Sequence, residues 1–141
     1  MLGVEREIMV QFAEEQSWTA RAKVIERVAT LYVDGPLAPA ERKTAHDLFR
    51  LALLDAEPLL RRVLAESIKR ASDLPPDIVS FLIQDAAAVS APFLAASPLI
   101  AEDDLLTIAI SGGAAQREAI AGRCSLSDRV AEVLFGQRKV A

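Results

Sequence analysis

Apolar positions recur along this chain at intervals of three and four residues, and proline, glycine and aspartate break the runs. That is the period of α-helices that each turn one face to a core. Val4, Ile8 and Phe12 predict a first helix over residues 4–15. Ser17 reads as the N-cap of a second, which carries Trp18, Ala22, Ile25, Ala29 and Tyr32 on one face and stops at Asp34, Gly35 and Pro36. Pro39 suits the first turn of a third, marked by Ala45, Leu48, Phe49, Ala52 and Leu53. After Asp55 and Pro58 comes a helix over residues 59–71, with Leu60, Val63, Leu64 and Ile68 facing inward. Its other side holds Arg62, Glu66, Lys69 and Arg70, and Arg62 and Glu66 are spaced to pair across one turn. Residues 77–84 are apolar almost all round, which predicts an element covered on more than one side.

From there the chain repeats itself. A shift of 27 positions lays Ile83 on Ile110, Phe93 on Ile120, Leu99 on Leu126 and Asp85 on Gly112. The repeated unit is a short helical hairpin. Its first helix follows Leu74, Leu99 or Leu126; its second follows Asp55, Asp85 or Gly112, with Val63 and Leu64, Phe93 and Leu94, or Ile120 and Ala121 on the inner face. A hairpin that cannot bury its own apolar face stacks on a copy of itself, which predicts an α-solenoid. The expected fold is therefore all-α: short antiparallel helix pairs, about eight to nine helices in one domain. Residues 1–55 would cap the stack, 56–136 would carry the repeats, and 137–141 would form a polar tail.

Composition agrees with close helix packing, since 52% of residues are hydrophobic but only 5% aromatic, leaving mostly Ala, Leu, Val and Ile. Charge sharpens the picture. Residues 1–70 balance eleven acids against eleven bases, whereas 71–116 have no Lys or Arg beside Asp73, Asp77, Asp85, Glu102, Asp103 and Asp104. A net charge of −4 argues against a nucleic-acid binder. Cys124 is the only cysteine, so no internal disulfide or cysteine-pair zinc site is expected. The amino terminus lacks the basic start and apolar run of a signal peptide, and no stretch is long enough in apolar residues to span a membrane. A cytoplasmic location is the expectation.

Four segments together resemble a known family: Leu74-Pro75-Pro76-Asp77-Ile78-Val79, Pro92-Phe93-Leu94, Ser97-Pro98-Leu99-Ile100, and the run from Gln116 to Arg123. They are similar to uncharacterised bacterial proteins with HEAT-like repeats, a domain of unknown function, and the likeness covers residues 74–134. The resemblance implies an α-solenoid and the amino-terminal portion of a longer protein. It supplies no catalytic residue and no cofactor.

Two places could carry chemistry. His46, the only histidine, lies mid-helix beside Asp47, an arrangement like that of phosphoacceptor helices, in which an exposed imidazole takes a phosphoryl group. The plainer reading is a solvated or half-buried helix residue. Glu102, Asp103 and Asp104 point around a helix and do not converge, so they make a poor metal site or acid–base pair. They would complement the helix dipole, or offer a docking surface for a basic or amphipathic protein segment. The sequence thus points to a non-enzymatic protein–protein interaction scaffold without cofactor, metal, nucleic acid or membrane. A phosphotransfer module using His46 and a self-associating homodimer are the alternatives.

Overall fold

The computed structural model describes Glu7 and residues 17–136. Most of the helix expected over residues 4–15, and the tail 137–141, lie outside the described residues. Among those described there are eight α-helices and no strand: α1 (Trp18–Asp34), α2 (Pro39–Leu53), α3 (Pro58–Ile68), α4 (Pro76–Gln84), α5 (Ala87–Ala96), α6 (Glu102–Ser111), α7 (Ala114–Ala121) and α8 (Asp128–Phe135). Prolines open α2, α3 and α4, where a missing N–H costs nothing. Ser17 and Ser127 cap α1 and α8, with their hydroxyls accepting from Ala20 N and Val130 N.

The odd-numbered helices form one layer. α1 packs on α3, α3 on α5 and α5 on α7, while α2, α4 and α6 each pack on the odd-numbered helix that follows them. In the second layer α2 meets α4 and α6 meets α8. Between the layers lie Ile25, Leu48, Phe49, Leu60, Leu64, Ile68, Ile78, Leu82, Val89, Phe93, Leu94 and Ile120, all fully buried. The helical faces read from the sequence are largely these residues. Val63 is one exception, half-buried beside a face that α3 builds from Leu60, Leu64, Ala65 and Ile68, and Trp18, Leu53 and Ala121 are also half-buried.

Polar links hold the odd layer in parallel register. Arg21, the fourth residue of α1, reaches Asp55 just ahead of α3, with Nε to Oδ2 at 2.9 Å. Arg61, the fourth residue of α3, makes the same link to Asp85 ahead of α5, with Nε to Oδ2 at 2.8 Å and Nη2 to Oδ1 at 3.2 Å. At the next step glycine replaces aspartate. There Gln116 Nε2 of α7 donates to Ser90 Oγ, the fourth residue of α5, at 3.1 Å. Ser90 is completely buried, so this bond answers a hydroxyl that water cannot reach.

Gly112 has its own requirement. Its N–H closes on Ile108 O at 2.7 Å, and a Cβ there would come within 2.5 Å of that same carbonyl oxygen. Close approach, and not an unusual backbone angle, reserves the position for glycine.

Two local expectations change. Arg62 does not pair with Glu66, whose carboxylate is taken by Lys69 Nζ at 2.9 Å. α4 is not enclosed: Ile78, Val79, Leu82 and Ile83 are buried, but Phe81 is 57% exposed. The helix sits in the second layer, so the packing of α5 and α2 covers one side and leaves the other open.

Candidate functional site

The acidic stretch 71–116 meets its counter-charges from elsewhere in the chain. Asp73 receives Arg42 at 2.6 Å, Asp77 receives Arg50 at 2.8 Å, and Asp85 receives Arg61. Arg129 of α8 reaches Glu102 at 3.3 Å and lies 4.0 Å from Asp103. Among the described residues, Asp104 is the one of these six carboxylates with no ion pair. The first turn of α6 is therefore a partly neutralised helix start, with anions near its exposed N–H groups. Among the described residues no group of His, Cys, Asp or Glu is placed to hold a metal ion.

His46 belongs to a buried-edge network at the junction of α1, α2 and the segment before α4. Tyr32 Oη donates to the Asp73 carbonyl at 2.7 Å, which uses its one hydrogen. The same oxygen then accepts from Arg42 Nη2 at 3.0 Å and lies 2.8 Å from His46 Nε2. Nε2 must therefore carry the hydrogen of the neutral ring and donate to Tyr32 Oη, which leaves it no free lone pair with which to attack a phosphoryl group. Burial, reinforced by Arg42 and Arg50, lowers the imidazole pKa, and burial also raises that of the Tyr32 phenol. His46 is half-buried and edge-on to Tyr32, with ring centroids 5.3 Å apart. This geometry ties α2 to α1 and gives no support to phosphoryl transfer from Nε2.

The lowered pKa sets a pH dependence. Above about pH 6.5 the ring is neutral folded or unfolded and contributes nothing; below it the unfolded chain binds the proton more readily, so stability falls with pH until the folded ring protonates too. His46→Gln, which can still donate to Tyr32, should remove that component. Unfolding midpoints measured from about pH 7.5 to about pH 5 would show it as a shallower slope in the variant.

A concavity lies elsewhere, in a groove of about 930 Å³ along α5. Its floor is α5 itself, with Ala87, Ala88, Ala91, Pro92, Ala95 and Ala96. One wall is the outer face of α3, with Arg62 and Glu66, continued by Lys69 and Arg70 in the turn at its end. Arg123, Cys124 and Ser125, in the turn after α7, make the other. Four cations thus face one carboxylate, and that carboxylate is already paired with Lys69.

Arg123 is fixed in place. It donates to Leu94 O at 2.5 Å and Ser97 O at 2.8 Å, so its charge sits at the carbonyl end of α5, where a cation is favoured. Burial lowers its pKa. Arg62 and Arg70 are exposed, and among the described residues no carboxylate pairs with them.

The matched stretch of the chain covers the floor of this groove from Ala91 onward, without Ala87 and Ala88, and the arginine at its far wall. Residues 89–141 match the family model of an uncharacterised protein conserved in bacteria, DUF2336. The DUF2336 match begins within α5 and takes in α6, α7 and α8, so it starts later than the likeness from residue 74. Arg62, Lys69 and Arg70 precede it. No curated protein and no solved structure matches the chain.

Sequence reasoning singled out Glu102, Asp103, Asp104 and His46, none of which lines the groove. The groove residues it passed over are Arg62, Arg70 and Arg123, which lie far apart in sequence. A usable signal existed in the alanines of α5, which recur at helical spacing on the side opposite Val89 and Phe93.

Proposed function

We propose that this chain is an α-solenoid of HEAT-like helix pairs and works as a non-enzymatic scaffold for protein–protein interaction. The observation that carries the reading is the odd layer, where α1, α3, α5 and α7 lie side by side in chain order. The recurring Arg-to-Asp link at the fourth residue of α1 and of α3 adds to it. Stacked repeats of this kind make a long surface whose shape is set by nearest neighbours, which suits recognition better than chemistry. The groove along α5 gives that surface a concave site. A cytoplasmic setting fits the free, exposed thiol of Cys124.

Capture from the native host tests the reading. The tagged chain, cross-linked in cells and purified under denaturing wash, should retain one protein or a small set in near-equal amount. Recovery of the bait alone, together with a dimer in sedimentation velocity, would instead make it a self-associating structural element.

A further inference from the structure

We propose that the groove along α5 binds an acidic amphipathic helix, with its small apolar face on the α5 alanines and its carboxylates on Arg62 and Arg70. The inference rests on the scaffold reading above and names the class of partner.

Charge comes first. The groove collects Arg62, Lys69, Arg70 and Arg123 around the single carboxylate of Glu66, which Lys69 already occupies, and among the described residues no carboxylate pairs with Arg62 or Arg70. Arg62 stands on the outer face of α3 and Arg70 in the turn just past its end, and both line the groove. Carboxylates spaced along one flank of a partner helix running alongside would meet both. Arg123 adds fixed positive charge at the end of α5, and its own hydrogen bonds hold it there.

The floor then decides the conformation of the guest. Its methyl side chains let another helix axis approach to about 8 Å, closer than large side chains allow. An extended strand would need main-chain partners, and the described residues offer no strand edge. A helix brings its backbone already hydrogen-bonded. Nucleic acid fits less well, because the groove has no aromatic side chain on which a base could stack.

The test uses the full chain and a fluorescein-labelled peptide of about 18 residues, five helical turns, with alanine and leucine on one face and glutamates at a seven-residue interval on its flank. Fluorescence anisotropy at low ionic strength should give saturable binding that weakens as salt is added. Arg62→Glu with Arg70→Glu should reduce affinity at least tenfold, and Ala91→Trp, which fills the floor, should block binding; circular dichroism should show native helicity in each. The same peptide with lysines for glutamates should not bind. Any of four results overturns the proposal: no binding of the glutamate peptide, equal binding of the lysine peptide, unchanged affinity in the charge-reversed variant, or displacement by a mixed-sequence single-stranded oligonucleotide. The scaffold reading is judged separately. If the charge-reversed chain still captures the same host protein as the wild type, the groove assignment falls while the scaffold stands.

Discussion

Phe93→Ala should destabilise the chain by about 3–5 kcal/mol, the usual cost of emptying a fully buried phenylalanine site. Phe93 is completely inaccessible to solvent and belongs to α5, which packs against α3, α4 and α7 at once. Removing the ring takes contacts from both sides of the odd layer, and neighbouring helices held by the Arg61–Asp85 and Gln116–Ser90 links have little freedom to close the gap. For a chain of this size the loss corresponds to a fall of about 10–20 °C in the midpoint of thermal unfolding. Phe81→Ala is the control. That ring is 57% exposed on α4, and its truncation should cost no more than about 0.5 kcal/mol. Urea titration of both variants, with the slope checked for a two-state transition, makes the comparison. Similar losses at the two sites would mean that α5 is not the centre of the packing.

Asp85→Ala should cost about 2–3 kcal/mol, because it strands the guanidinium of Arg61 in a place that water reaches poorly. The two side chains are 15% and 17% exposed, and Asp85 also accepts from Ala86 N at 2.7 Å. The loss stays below that of a fully buried pair because Arg61 keeps its bond to Asp55 O at 2.7 Å. Replacing both members by apolar residues, Arg61→Met with Asp85→Leu, should recover part of the loss, as expected when the damage comes from the unpaired charge. A double variant as unstable as the sum of its singles would refute that account.

The same pair gives acid sensitivity. Burial alone would raise the Asp85 pKa, but the Arg61 hydrogen bond, the Ala86 N–H and the Arg61 charge together outweigh it and lower the value. Asp77 is lowered as well, chiefly by its hydrogen bond to Arg50. A depressed folded pKa means stability that is complete above the unfolded value, about pH 4, and lost as pH falls through the folded one. Asp85→Asn should flatten that acid limb.

Much of the helical framework was legible because it depends on neighbours in sequence. Ser17, Pro39, Pro58 and Ser127 fix helix starts through groups a turn away, and Ile25, Leu48, Phe49, Leu64, Phe93 and Ile120 declare buried faces by spacing. The surface was less legible. Asp55 and Asp85 look like punctuation between helices, and their further role as acceptors for Arg21 and Arg61 spans 34 and 24 residues. The unequal spacing, caused by the longer α1 and α2, hides a regular relation: the fourth residue of one odd helix bonds to the entry of the next.

The sequence by itself determined that this chain is helical, where most helices begin, and which side of most of them is apolar, since those properties are settled within a turn or two of each residue. Only the tertiary structure decided where charge is left over. Residues 71–116 are acidic when counted along the chain, yet Arg42, Arg50, Arg61 and Arg129 fold back onto five of their six carboxylates. Among the cations the described residues leave without an ion pair, Arg62 and Arg70 are brought beside an alanine floor from the next odd helix. Electrostatic pairing depends on distance in space, and stacking brings together residues that the chain keeps apart.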